Sequence, residues 1–128
     1  MALTATFFQH KFFKKLLVSI PLGLFGLGLV GIGIFSGEKV PYHGMSAMLI
    51  FFSGGLSAIS AFKIVSSPFK YIGILFGSIS LATWAAVIFI PSIIFSLIGM
   101  GGTERWLVYP VVLWITGLGG YLINTNKI

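Results

Sequence analysis

Few side chains in this sequence are able to do chemistry, and those few gather at the ends of apolar runs. Glu38, Lys39 and His43 lie in and just after one short polar turn, and Glu104, Arg105 and Tyr109 lie around another. A carboxylate, an imidazole and a guanidinium meeting at one membrane face have three uses. They could clasp two loops through a charge-assisted pair, receive a lipid headgroup or small ligand, or move a proton. The candidate polar cluster read from these residues is therefore His43, Glu104, Arg105 and Glu38, with Lys39 beside it. The clasp would pair Arg105 with Glu38 or Glu104 and leave His43 on a loop carbonyl; acid–base work by His43 with Glu104 comes last, for want of an evident substrate pocket.

Sharper templates find too few residues. A metal centre needs three or four His, Asp, Glu or Cys, and the chain holds two His, two acids and no Cys. His10 and His43 are expected on opposite sides, which forbids a haem held between them. The glycine runs sit inside apolar segments without flanking strands, so they are neither phosphate loops nor dinucleotide fingerprints, and no Gly-x-Ser-x-Gly elbow occurs. The expectation is a non-enzyme with no metal and no cofactor.

The elements that must position the cluster follow from composition. The chain has 128 residues, 57% hydrophobic and 8% charged, too little polar surface for a soluble domain. Its net charge of +6 sits at the ends of apolar runs rather than on one basic face, so it reads as a topology signal and not as a nucleic-acid surface. Roughly 20 apolar residues cross a hydrocarbon core about 30 Å thick, and four such crossings fit. The fold class is an all-α, integral membrane four-helix bundle.

Residues 1–15 form a basic aromatic N-terminal segment, a flank of the first crossing or a short interfacial helix. Residues 16–128 form a single transmembrane domain. Its helices are expected at about 16–35, 43–62, 71–90 and 106–123. The first is read as a retained helix rather than a signal peptide. Ser36, Gly37, Glu38, Lys39 and Pro41 separate the first two helices, and Lys63 to Lys70 the next two. After Pro91 the apolar stretch 92–100 is too short to span alone; it is a kinked extension of the third helix to 100, or an interfacial or re-entrant piece.

Lys11, Lys14, Lys15, Lys63, Lys70 and Lys127 fall on one side and only Lys39 and Arg105 on the other. Excess Lys and Arg marks the cytoplasm, so both termini are expected inside (N-in/C-in) and the polar cluster outside, in a multi-pass protein of the cell membrane. Lipid offers helices no hydrophobic reason to associate, so small residues should line their contacts. Gly23, Gly26, Gly28, Gly31 and Gly33 fill the first crossing, Ser53 to Ala61 much of the second, Gly73 and Gly77 mark the third, and Gly117, Gly119 and Gly120 the fourth. Trp84 and Trp114 lie deep, where their indole N–H groups should seek a Ser or a carbonyl.

The strings Gly33-Ile34-Phe35 with His43, Phe52-Ser53-Gly54-Gly55-Leu56-Ser57-Ala58, and Gly101-Gly102-x-Glu104-Arg105-Trp106-x-x-Tyr109-Pro110 with Trp114 and Gly119-Gly120-Tyr121 resemble the domain of unknown function 998 family. These are small polytopic membrane proteins of archaea and bacteria with no established activity. The resemblance covers most of the chain from Leu16. It implies that His43, Glu104, Arg105 and Tyr109 belong to a shared pattern, which adds Tyr109 to the candidate cluster, while Glu38 is not supported by it. Ser36 stands where that family often has proline. Its members are longer, so the chain resembles a shortened member lacking an N-terminal helix, which a partner would supply.

The leading expectation is a non-catalytic accessory or structural subunit of a larger membrane complex. Its partners would be membrane lipids and neighbouring subunits or further copies of itself, and no nucleic acid. The alternative is a small ligand- or lipid-binding or transport protein with its site at the extracytoplasmic end. No acid, lysine or arginine lies within a crossing, which disfavours proton pumping.

Overall fold

A computed structural model describes residues 2–35 and 37–125, with side chains from residue 12 onward. The expectations placed on Ser36, on the His10 and Lys11 side chains and on Lys127 lie outside the described residues. Those residues form an all-α chain of four long helices: α1 Ala2–Ile34, α2 Val40–Ser60, α3 Phe69–Phe89 and α4 Pro91–Thr125, with one 3-10 turn, Ala61–Lys63, closing α2. Four segments are long and apolar enough to cross a membrane, namely Phe12–Ile34, Val40–Lys63, Phe69–Phe89 and Pro91–Thr125. The 21 residues of α3 alone cover about 30 Å at 1.5 Å per residue.

Three boundaries differ from the sequence reading, each for a local reason. α1 is helical from Ala2 and passes without a break through Lys14 and Lys15 into the apolar run, so residues 2–15 share one helix with the first crossing. α2 starts at Val40, because Pro41 occupies its first turn. There the missing N–H would have had no partner in any case, and the fixed φ favours helix. Pro41 opens the second helix rather than merely stopping the first.

The third difference lies at Pro91. The residue before a proline is pushed out of the α region, and Ile90 adopts φ −136°, ψ 49°, ending α3. The third helix is therefore not extended to 100. Residues 91–98 instead form a short leading piece of α4, set off from its main part by Gly99 at φ 70°, ψ 170°. Only glycine occupies that region readily. Thr103, just past the break, is buried and donates its Oγ1 hydrogen to the Gly99 carbonyl at 2.7 Å, so the new helix start is held by its own side chain.

Each helix packs on the next in sequence, and small residues set the approach. Gly28 and Gly31 of α1 lie against Ser46 and Ile50 of α2; Gly55 of α2 faces Gly77 of α3 so closely that a Cβ on either would meet the other's backbone oxygen. Gly73 lies under the indole of Trp114. Gly23, Gly26 and Gly33, by contrast, face open space, so only part of the glycine in α1 serves packing within the chain.

Two prolines sit inside the long helices, Pro21 in α1 and Pro110 in α4. A helical proline removes one N–H and displaces the carbonyls of the preceding turn, which in a membrane need other donors. Ser57 of α2, fully buried, donates to the Val18 carbonyl at 3.0 Å. Ser80 of α3, also fully buried, donates to the Leu107 carbonyl at 2.8 Å. In both cases the acceptor stands three residues before the proline, and the donor comes from the adjacent inner helix. With these hydroxyls committed to carbonyls, the buried indole N–H groups of Trp84 and Trp114 have no partner among the described residues, contrary to the expectation that a Ser or carbonyl would meet them.

Candidate functional site

The outer helices α1 and α4 are not neighbours. Among the described residues no Cα of one comes within 8 Å of the other. Near Trp114 their side chains still join one buried cluster with Val18, Ala58, Ala61, Val65 and Leu118. A second cluster, Phe25, Ile50, Phe51, Leu107 and Val111, continues it, with Gly54 of α2 letting Phe25 and Val111 approach.

Beyond that point the helices leave a groove of about 820 Å³. Phe25, Leu29 and Ile32 of α1 form one wall, Leu107, Val108, Val112 and Thr116 of α4 the other, and Ala47, Ile50 and Phe51 of α2 the floor. Phe95 and Met100, on either side of the Gly99 break, reach it from the piece of α4 that the break turns aside.

The polar residues of this groove stand where the α1–α2 turn meets α4. His43 and Glu104 both line it, together with Gly37 and Thr103. His43 is in the first turn of α2 and half-buried. Its Nδ1 lies 2.8 Å from the Phe35 carbonyl, one of the carbonyls left without an intrahelical partner where α1 ends. Since a carbonyl only accepts, Nδ1 carries the hydrogen and donates it. The Phe35 and Tyr42 rings, 5.2 Å apart, brace the same turn. The turn therefore fixes the imidazole plane and leaves Nε2 to other uses.

No family model, curated protein or solved structure matches this chain. The site rests on its own geometry.

Of the five residues expected to form the polar cluster, the structure brings His43 and Glu104 to one groove. Glu38, Arg105 and Tyr109 are exposed and do not line it. Arg105 follows Glu104 by one helical position, about 100° around the axis, so the two side chains leave α4 in different directions. Among the described residues no group of three or more His, Asp or Glu is placed to hold a metal ion.

Sequence reasoning missed the apolar body of the groove. Phe25, Leu29, Ile32, Ala47 and Val112 are ordinary residues of apolar helices, and nothing in their types separates a groove wall from a lipid-facing surface. Thr103 and Gly99 did carry a signal: a glycine run followed by Thr between apolar segments is the pattern of a break and a new helix start.

Proposed function

We propose that this chain is a non-catalytic, multi-pass protein of the cell membrane, with both termini cytoplasmic, that takes an amphiphilic lipid from the bilayer into the groove between α1 and α4. The observation that carries this reading is the groove: mostly apolar along its length, open between two helices whose backbones stay apart, and with its two ionisable side chains, His43 and Glu104, in the lining. Ligand pockets are typically about 300–1,000 Å³, mostly apolar, with a few placed polar groups. A tail would lie along Phe25, Leu29 and Val112 while the head stays at the His43 and Glu104 end, near the headgroup level. The split of six cations to two supports placing that end outside.

The chain holds no cysteine, so single cysteines report its orientation cleanly. Lys39→Cys should react with a membrane-impermeant maleimide in intact cells, and Lys63→Cys only after permeabilisation. The reverse pattern overturns the orientation. For the ligand, native mass spectrometry of the full chain from mild detergent should find a retained lipid, lost when Ala47→Phe fills the groove floor. A chain without lipid, or equal retention in both proteins, ends the binding reading.

An accessory role beside a larger membrane assembly is the second reading. Gly23, Gly26 and Gly33 favour it, because they leave one face of α1 bare where another helix could approach closely. Co-purification of a second membrane chain, lost on Gly26→Leu, supports the accessory role; a free monomer in mild detergent removes it.

A further inference from the structure

We propose a second lipid site at the other end of the bundle, on the lipid-facing side of the α1–α2 pair. Lys14 and Lys63 hold there the phosphate of an anionic phospholipid, with part of one tail in the shallow groove beside them. The site is independent of the groove between α1 and α4.

The charges of the chain are divided between its two ends. Its only acidic side chains, Glu38 and Glu104, both stand at the His43 end. Lys14, Lys15, Lys63 and Lys70 lie at the opposite end, and about 30 Å of helix separates Lys14 from Ile34, where α1 finishes. Residues 1–11 and 126–128 of the sequence add no acidic side chain. Helix ends weigh less: the carbonyl ends of α2 and α4 bring about half a negative charge each, and the start of α3 about half a positive one. An anion arriving here meets a net positive field.

Two of these lysines stand at a place shaped for a tail. A groove of about 250 Å³ runs between Phe13, Leu17 and Ile20 of α1 and Leu56 and Ser60 of α2. Lys14, half-buried, leaves α1 between Leu17, which lines this groove, and Val18, which turns into the core. Lys63 is three residues past Ser60 in the closing 3-10 turn, where side chains three apart eclipse, so it continues the same face. α1 and this turn come within 8 Å of each other, Cα to Cα, which brings the two lysines to one level. Lys15 leaves α1 about 100° further from the groove, and Lys70 keeps its Nζ 4.9 Å from the Tyr71 ring.

Along α2 this face passes from Leu56 to Ser60 to Lys63: apolar, hydroxyl, cation. Along α1 the same direction leads from Ile20 and Leu17 to Lys14. Tail, glycerol ester and phosphate follow in that order in a phospholipid, and lysine stems lie along apolar surface while the ammonium reaches the headgroup level. An ammonium has three donors and no acceptor, which suits phosphate oxygens. The groove is smaller than pockets that enclose a small ligand whole, about 300–1,000 Å³, and fits part of a tail whose remainder stays among other lipids. The split of cations supports placing this end at the cytoplasmic leaflet, which carries the anionic lipids.

Dioleoyl phosphatidylglycerol and dioleoyl phosphatidylcholine share tails and a phosphate, and the choline cancels the charge. Full-length protein in a mild neutral detergent is titrated with each and read by native mass spectrometry. Phosphatidylglycerol should bind at least about tenfold more tightly, and Lys14→Gln with Lys63→Gln should remove that preference. Lys15→Gln with Lys70→Gln, which removes the same charge off the groove, should leave most of it. Ser60→Phe fills the groove without touching a charge and should also weaken phosphatidylglycerol. Equal binding of the two lipids by the native chain overturns the proposal, as does an equal loss in both lysine pairs, which would mean a diffuse attraction. Binding unchanged by Ser60→Phe overturns the place of the tail. Displacement of the lipid by an equal concentration of inorganic phosphate would show a free-anion site instead. The Ala47→Phe protein should bind phosphatidylglycerol as the native chain does; a loss there would put the lipid in the α1–α4 groove and remove this second site while leaving the first.

Discussion

The half of the bundle around Trp114 and the half around His43 are made from the same kinds of residue and end in opposite states. Around Trp114, an indole with 0% exposure fills the space between helices, and Gly73 gives it room. Tyr121 seals that end, its hydroxyl within 3.0 Å of the Ser66 backbone N–H and its ring stacked on Phe69 at 5.5 Å. Around His43 the large side chains Phe25, Phe51, Phe95 and Met100 line a groove instead of filling it. Gly44 and Ala47 lie among them, and Leu29 and Val112 remain 51% and 45% exposed. Pro91 and Gly99 also divert the start of α4, so the outer helices part. Stability is thereby concentrated away from the groove, leaving that end free to serve binding.

The strongest way to break this comparison is to open the closed half. Trp114→Ala should cost about 4 kcal/mol, within the usual range for truncating a buried Trp, because lipid tails cannot enter the space it leaves. Thermal unfolding of the detergent-purified protein checks it; a small change would show that Trp114 is not the filling that closes the half. Next comes Gly77→Leu, expected to cost about 3 kcal/mol by forcing α2 and α3 apart where a Cβ would meet the Gly55 carbonyl oxygen. An unchanged midpoint would mean that the α2–α3 crossing has room the geometry does not grant.

The serine hydrogen bonds give a smaller effect and a finer test. Ser57→Ala and Ser80→Ala each strip a donor from a carbonyl beside a helical proline, and interhelical hydrogen bonds of this kind are worth about 1 kcal/mol or less. If the prolines create the need by bending the helix, the loss at Ser57 should shrink when Pro21→Ala is added, since a straightened helix lets the Leu22 N–H reach the Val18 carbonyl again. The double-mutant cycle measures this coupling, and strict additivity would mean that Ser57 acts independently of Pro21.

What the sequence told of this design was uneven for physical reasons. Four apolar runs bounded by Lys, Gly and Pro announce four helices, because the cost of burying backbone polar groups in lipid leaves no other structure. The end of α3 was ambiguous, since Pro both stops one helix and starts another. At Pro41 and Pro91 the starting role prevails, and a sequence window cannot tell which of the two a proline will serve. His43 and Glu104 were legible because ionisable groups are rare in such a chain. Their separation from Arg105 and Tyr109 was not, because it depends on the rotation of α4 after Gly99. The groove was the least legible feature: it arises from the wide spacing of the α1 and α4 backbones, and a spacing between helices leaves no mark on residue types.

The smallest expected effect is also the sharpest test of the comparison. Gly44→Leu makes the same chemical change as Gly77→Leu, on the helix that Gly77 packs against, but at the open end. A Cβ at Gly44 has nothing within 4 Å, and the residue sits in the first turns of α2, where leucine is a better helix former than glycine. The loss of void at the groove rim and the gain in helix preference both act against destabilisation, so stability should change by no more than about 0.5 kcal/mol. Because Gly44 lines the groove, the same leucine should nevertheless reduce lipid retention. A melting midpoint held while bound lipid falls would separate the two halves by function as well as by packing. If Gly44→Leu instead unfolds the protein as Gly77→Leu does, the His43 half is as tightly built as the Trp114 half, and the distinction between them collapses.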